Sequence, residues 1–479
     1  MGMEKSSSAG RAGATRRAFL SASAATAVAV PLLSAATPAG AATLPKSEPD
    51  AGLRQLLGQI DPARIEATIS RLVQFGTRHT ASSQTDPVRG IGAATAWVFQ
   101  QMQAIAATSS GRMTVQKQTF TQPAVPPSLP AATTITNVIA TLQGTASPQR
   151  YYVITGHLDS RVTDVTDFTS DAPGADDDAS GVAVVLELAR LFATRQFPGT
   201  LVFATVDGEE QGLFGSAFMA AQMKKAGADV QGMFSNDIVG ASQAFDGTKP
   251  DPFSVRLFVE GVPAADSAAQ ISLIEAVGGE NDGGTHQLAR FVTSVAPASL
   301  TGMNIRVIWR RDRYLRGSDH VSFQAQGYPA ARVTEPRENF NHEHRNVEVA
   351  GGVEFGDRLE FVDFRYTARV AKVNAAALWA LATNPATPKN VLIHVAPPVG
   401  FAGINDTMLT WDANPEPDLA GYEVVTRETS AADWTQSIPV GNVTSVTLDI
   451  AKDNLQFGVR AVDKAGHRSP VGFPVTVTT

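Results

Sequence analysis

The sequence predicts a three-layer α/β sandwich on a mainly parallel central sheet, followed by a small all-β sandwich. Three observations carry this expectation. Apolar runs short enough to be strands alternate with helical runs from about residue 136 to 333, as they do where helices cover both faces of a sheet. From about Asn390 the helical signal stops, and short β-type runs alternate with Pro, Gly, Asn and Asp, which is the patterning of a sandwich. Between the two regions, Asn384-Pro385-Ala386-Thr387-Pro388 has the composition of a linker.

Composition bounds the function. The chain has 479 residues, 43% hydrophobic and 18% charged, enough apolar content to bury a full core and to exclude collagen-like and disordered classes. Its formal net charge is −7, and the balance is more acidic still once Lys5, Arg11, Arg16 and Arg17 of the N-terminus are set aside. A general nucleic-acid binder or a protein held to an anionic membrane would be basic. There is no cysteine, so disulfides, thiol catalysis and cysteine-ligated metals are excluded, and any metal must rest on His, Asp and Glu.

Taken in order, residues 1–41 read as a removed signal peptide. Thr15-Arg16-Arg17-Ala18-Phe19-Leu20 leads into an apolar Ser21 to Ala36 stretch, and Ala39-Gly40-Ala41 supplies small residues for cleavage. The stretch is shorter and less apolar than the ~20 residues that span a bilayer, so no stable membrane insertion is expected after cleavage. The paired arginines resemble the twin-arginine export signal, which implies a secreted or periplasmic protein translocated already folded. Residues 42–386 form the α/β domain. Residues 42–58 look like a polar linker with Pro45 and Pro49, followed by helices over 62–75 and 92–106. Strands are expected at 136–142, 151–155, 201–206, 232–234, 255–259, 305–309 and 330–333. Helices are expected at 180–193 and 215–225, through a long stretch over 264–294, and at 357–381. Residues 390–479 make the all-β domain. There LTWDANPEPDLAGYEVV and FGVRAVDKAGHRSP resemble a fibronectin type III domain, whose core would use Trp411, Tyr422 and Phe457.

Chemistry gathers at strand ends, where ligands of open α/β sheets bind. YYVIT runs into Gly156-His157-Leu158-Asp159-Ser160, LVFATV into Asp207-Gly208-Glu209-Glu210, and GMFS into Asn236-Asp237. An acidic turn, Asp176-Asp177-Asp178, opens the 180–193 helix, and Gly317-Ser318-Asp319-His320 and Asn341-His342-Glu343-His344 follow. Singly, each piece has a structural explanation: three aspartates favour a helix N-terminus, a Glu pair is usually solvated, and a strand-end His is usually hydrogen-bonded structure. Jointly, they supply the nitrogen and oxygen donors that Zn²⁺ accepts, with a central acid able to bridge two ions about 3.5–4 Å apart. Of the adjacent Glu209 and Glu210, one can ligate while the other stays free to take a proton from an acidified water. Asp159 lies where a carboxylate can hold the other N–H of the His157 ring.

The series HLDS, PGADDDASG, DGEEQGLFGS, SNDIVG and SDHVSF with a late histidine resembles the secreted two-zinc aminopeptidases, whose wider family includes glutamate carboxypeptidases and glutaminyl cyclases. The resemblance covers roughly residues 60–384. It implies a zinc-peptidase fold holding two Zn²⁺ per chain, with His157 and Asp237 on one ion, Glu210 and His342 on the other, and Asp177 as the bridge. It also implies Glu209 as general base, Asp159 as the acid behind His157, and His320 near the substrate pocket. For the late ligand, His344 competes with His342. His342 has the family's spacing to position 346, although Asn346 stands where an acid is expected. Tyr314 and Arg316 are surface residues or substrate contacts. The implied activity is hydrolysis of N-terminal residues from peptides or proteins. Carboxypeptidase, glutaminyl cyclase and a non-catalytic binding relative are the alternatives; Arg310, Arg311 and Arg313 keep the carboxypeptidase open. The chain offers no G-x-S-x-G elbow for a serine hydrolase. The C-terminal domain is expected to stabilise and space the enzyme or to contact a surface or polymer.

Overall fold

The computed structural model describes residues 50–395 and 406–477; the expected signal segment, 1–41, lies outside them. Eight strands form one sheet: β1 (Met113–Gln122), β2 (Thr133–Leu142), β3 (Ser147–His157), β4 (Gly199–Val206), β5 (Asp229–Asn236), β6 (Ser254–Val259), β7 (Asn304–Ile308) and β8 (Ala330–Thr334), in the order β1-β2-β4-β3-β5-β8-β6-β7. The central strands β4, β3, β5 and β8 are parallel. Antiparallel pairs β1–β2, β2–β4 and β6–β8 make the flanks mixed. Every residue of β4 is buried, which is why it reads as an unbroken apolar run and not as an alternating one.

The helices are α1 (Ala51–Leu57), α2 (Pro62–Val73), α3 (Ile91–Ala107), α4 (Ala179–Ala193), α5 (Glu209–Gly212), α6 (Phe214–Lys225), α7 (Ala268–Ala276), α8 (Gly284–Val295), α9 (Ala298–Thr301), α10 (Asp319–Gln324) and α11 (Phe364–Thr383). Side chains of α1–α4, α8 and α11 share one core with one face of the sheet, and α6 and α10 close the other through Met219, Ala220 and Phe323. The expected three layers are present. None of the helices among the described residues is long and apolar enough to cross a membrane.

Close approach at the strand ends positions the site. A Cβ on Gly156 would lie 2.5 Å from the Gly181 carbonyl carbon, and one on Gly181 would lie 2.1 Å from the Asn236 carbonyl oxygen. Only glycine lets α4 begin against the ends of β3 and β5. Asp178 caps α4 by accepting the Gly181 N–H at 2.9 Å, while its other oxygen accepts the His157 N–H at 2.9 Å. One carboxylate therefore ties the acidic turn to the strand end.

Several elements differ from expectation. Part of the expected polar linker is α1, because Asp50 caps the Leu53 N–H at 3.0 Å and Leu53, Leu56 and Leu57 are buried. Strand β1 was hidden by its polar composition, as expected of an edge strand with one exposed face. The 264–294 stretch is broken into α7 and α8. The last helix starts at Phe364, capped by Asp363, and a hairpin of β9 (Glu348–Ala350) and β10 (Val353–Phe355) precedes it.

The C-terminal region contains one sheet of β11 (Leu392–His394), β12 (Thr407–Thr410), β15 (Ser445–Leu448) and β17 (Val475–Val477), and a second of β13 (Leu419–Glu428), β14 (Gln436–Gly441) and β16 (Leu455–Asp463). Trp411, Tyr422 and Phe457 lie in its core with Leu409, Val424 and Val459. The segment read as a linker is fixed from both sides. Asn384 Nδ2 donates to the Arg468 carbonyl at 2.9 Å, the Ala386 N–H donates to Glu416 at 2.6 Å, and Asn414 Nδ2 donates to the Ala386 carbonyl at 2.8 Å. Arg150 pairs with Glu416 at 3.1 Å, and fully buried Asp282 receives Arg290 from α8 and Arg427 from β13. Breaking such a buried pair leaves an under-compensated charge. Arg427→Met is therefore expected to lower stability by about 2–3 kcal/mol, less than the usual ~3–5 because Arg290 remains, with both regions still unfolding in one transition in urea. No loss of stability, or two separated transitions, would show that the docking carries little.

Candidate metal centre

The strand ends and the 339–344 turn converge on the carboxylate of Asp177. Its Oδ1 lies 2.9 Å from His157 Nε2, and its Oδ2 lies 2.9 Å from His344 Nε2. One acid thus meets two imidazoles, one on each oxygen. Asp237 Oδ1 stands 4.0 Å from His157 Nε2, and Glu210 Oε2 stands 3.0 Å from His344 Nε2. Donor atoms of His157, Asp177 and Asp237 lie within 4.8 Å of one another, as do those of Asp177, Glu343 and His344.

This corrects the late histidine. His344, not His342, joins the group: its backbone adopts φ +53, whereas the His342 ring stacks face to face on Phe361 at 3.7 Å. Two histidines separated by one residue in a loop have no periodicity to choose between them, so the turn geometry decides. Glu343 was not foreseen either. It is buried and clasped by Arg316 at 2.6 Å.

Asp159 lies behind the His157 ring and also holds the glutamate turn. His157 Nδ1 meets the Asp159 carbonyl at 3.1 Å and has the Asp159 carboxylate at 3.6 Å. That carboxylate chiefly accepts the N–H groups of Glu209 at 3.2 Å and Glu210 at 3.0 Å, and the Thr80 hydroxyl at 3.2 Å. Asp159 therefore fixes the turn that presents the two glutamates. His320 stays out of the group: it is buried, and its Nε2 contacts the Arg311 carbonyl at 2.8 Å. Tyr314 is 84% exposed.

Three residues missed in the sequence hold the frame. Arg78 is fully buried, and its guanidinium donates to the carbonyls of Leu158, Leu72, Pro173 and Gly174, stapling the His157 strand end to the acidic turn. Asp357 accepts the N–H groups of Asp176 at 2.8 Å and Asp177 at 2.7 Å; the β9–β10 hairpin separates it from His344, which hid it from a spacing rule. Arg332, buried in β8, pairs with Asp237 at 3.0 Å and Asp312 at 3.2 Å. A lone arginine at a strand or loop carries no sequence signal of this kind.

Electrostatically the centre is overloaded with acid. Burial would raise the Asp177 carboxyl, but hydrogen bonds from His157 and His344 hold it well below the usual range. Burial pushes Glu209 well above its usual range, opposed by His157 and reinforced by Asp237, Glu210 and Asp319. Burial likewise takes Asp319 up to about 7, and Glu210 Oε1 is buried without a hydrogen-bond partner. Carboxylates this close are tolerated only with protons or cations between them. The donors are the nitrogen and oxygen atoms that zinc accepts, so the residues fit that metal, and bound cations would return Glu209 toward its anionic form.

A probable zinc metalloprotease of Leptosphaeria maculans is 46% identical over 431 residues, covering 90% of this chain and 98% of its own length, and the model of peptidase family M28 matches residues 137–348. The chain belongs to peptidase family M28. The family match spans His157 through His344, so the whole donor group lies on M28 sequence. A probable zinc metalloprotease of Pyricularia oryzae is 48% identical over 89% of this chain and 85% of its own length. Among solved structures, the LapA aminopeptidase of Legionella pneumophila is similar at 18% identity and TM-score 0.48, covering 71% of this chain and 77% of that one. Porphyromonas gingivalis glutaminyl cyclase is similar at 18% identity and TM-score 0.45, covering 66% and 97%. M28 membership makes this chain part of a zinc peptidase family acting on peptides. His344→Ala is expected to lower the zinc retained after dialysis, and His342→Ala to keep the wild-type content; atomic absorption checks both, and the reverse order would restore His342 as the ligand.

Proposed function

We propose that the chain is an exported aminopeptidase that removes N-terminal residues from peptides using two zinc ions. The observation that carries this reading is the Asp177 carboxylate standing between His157 and His344, with Glu209 near enough to His157 and Asp237 to feel their charges. On this reading His157 and Asp237 hold one ion, Glu210 and His344 hold the other, and Asp177 is common to both. When bound, zinc supplies Lewis acidity: it polarises the scissile carbonyl and lowers the pKa of water. Glu209 takes the proton from the attacking water and delivers it to the leaving amine, with Asp159 holding the backbone of its turn. The acids outside the proposed ligand set, Glu209 and Asp319, favour a substrate that brings a cationic α-amino group. Of the three arginines that keep recognition of an acidic C-terminus open, Arg313 is committed to Glu338 at 2.7 Å and Arg310 Nε donates to the Asp312 carbonyl at 2.8 Å, which weakens that alternative, while Arg311 stays exposed. Export is supported by Arg16-Arg17, the apolar stretch and Ala39-Gly40-Ala41.

The test is to compare initial rates on free and N-acetylated aminoacyl-anilides, before and after chelation and zinc return. Turnover that requires the free amine, vanishes on chelation and returns with zinc is expected; zinc-loaded protein turning over only blocked substrates would contradict it. Glu209→Gln should lower kcat by about 10²-fold or more, the usual scale of a lost general base, with zinc content unchanged. Wild-type turnover in that variant would remove Glu209 from the role.

A further inference from the structure

The docked C-terminal sandwich reaches toward the metal centre through one continuous set of contacts. Trp434, in the β13–β14 connection, donates its indole N–H to Gln287 of α8 at 3.0 Å. The Arg290 guanidinium, also on α8, lies over the Trp434 ring at 5.9 Å and over the Trp309 ring at 5.1 Å, and its Nε donates to the Ala432 carbonyl at 2.7 Å. His286, one turn before Arg290 on α8, packs edge-on against Trp309 at 4.8 Å. Asp282 fixes Arg290 from one side and Arg427 from the other. Arg290 is thus shared by an indole from each region.

Trp309 opens the loop of residues 309–318 between β7 and α10. The tip of that loop reaches into solvent. Trp309 is 38% exposed, and Tyr314 and Leu315 form a fully solvated tip. Behind that tip, buried Asp312 pairs with Arg332 at 3.2 Å, the Arg310 carbonyl accepts the Val259 N–H at 3.1 Å and the Arg311 carbonyl meets His320 Nε2 at 2.8 Å; beside the metal centre Arg313 and Arg316 clasp Glu338 and Glu343, next to His344, and the Ser318 hydroxyl meets that of Ser235 at 2.8 Å. The loop is thus held at several points, and the hold at its Trp309 end is built jointly with the sandwich.

We propose that the C-terminal sandwich is a positioning element for the 309–318 loop, acting through the Trp434–Arg290–Trp309 stack, and that this loop is a wall of the substrate approach. Trp434 and Trp309 are positioning residues: they touch neither the donor group nor the reacting atoms. The substrate half of this inference rests on the proposed peptidase reading, whereas the mechanical half does not.

Limited proteolysis separates the two. Arg310, Arg311 and Arg316 are exposed on the loop, so trypsin reports its opening, and cleavage of a transiently opened segment tracks the open population. In full-length, zinc-loaded protein, Trp434→Ala is expected to speed cleavage within 309–318 by about tenfold, since one lost cation–π and hydrogen-bond anchor shifts a local opening equilibrium on that scale. Trp434→Phe should restore most of the protection. Glu416→Gln, which loosens the docking at Arg150 far along the chain from the stack, should lower the melting temperature with loop cleavage unchanged. On peptide substrates Trp434→Ala should raise KM several-fold with kcat and zinc content close to wild type. Unchanged loop cleavage in Trp434→Ala overturns the proposal, and so does an equal rise in Glu416→Gln, because docking in general and not the stack would then hold the loop. Absence of turnover in the wild type would overturn the substrate half and the peptidase reading together, while the cleavage rates still decide the mechanical half.

Discussion

The structure is organised around a charge problem: several carboxylates are brought out of water onto one sheet edge, with the Asp177 carboxylate at their centre. Anions in a low-dielectric setting repel strongly unless paired. Arg332 neutralises part of Asp237, and, against the opposing effect of burial, the surrounding carboxylates hold the His157 and His344 imidazoles well above their usual range, so protonated rings share the load when no metal is bound. On the proposed reading, two dications on either side of Asp177 would offset the remainder, and would make the same residues that burden the fold useful for hydrolysis. The frame answers the same constraint. Asp178 and Asp357 receive the backbone N–H groups of the acidic turn and the strand end, and Arg78 ties the neighbouring carbonyls together. Each fixes main chain, so the donor side chains are placed without being consumed.

Much of this was legible in the sequence for a physical reason. A parallel strand buried on both faces must be apolar throughout, so YYVIT and LVFATV end abruptly where chemistry begins, and His157, Glu209, Glu210 and Asp237 stand at those ends. The acidic turn was legible because it opens α4 beside Ser180-Gly181, where only glycine fits. The α/β layers followed from the same alternation. What escaped was set by loops and edges. β1 has a solvated face and reads as polar. The His342/His344 choice depends on a left-handed backbone at His344, and Asp357 lies beyond a hairpin that breaks any fixed spacing. Arg78 and Arg332 act through carbonyls and a carboxylate brought together only by folding.

The C-terminal region illustrates how composition can be right about an element and silent about its attachment. Asn384-Pro385-Ala386-Thr387-Pro388 has the residues of a spacer, yet Asn384 and Ala386 are hydrogen-bonded to the sandwich. Prolines here end α11 and aim the chain; they do not make it free. With Asp282 shared between Arg290 and Arg427, the sandwich is part of the same physical body as the M28 fold, and its influence is expected to run through packing, not through a tether.

The central claim is that Asp177 is common to two metal positions. Crystals of the zinc-loaded protein, measured at wavelengths on either side of the zinc absorption edge, test it most directly. Two anomalous peaks flanking the Asp177 carboxylate, about 3.5–4 Å apart, are expected, one bounded by His157 and Asp237 and the other by His344 and Glu210. A single peak in fully loaded protein, or a second peak away from Asp177, would contradict it.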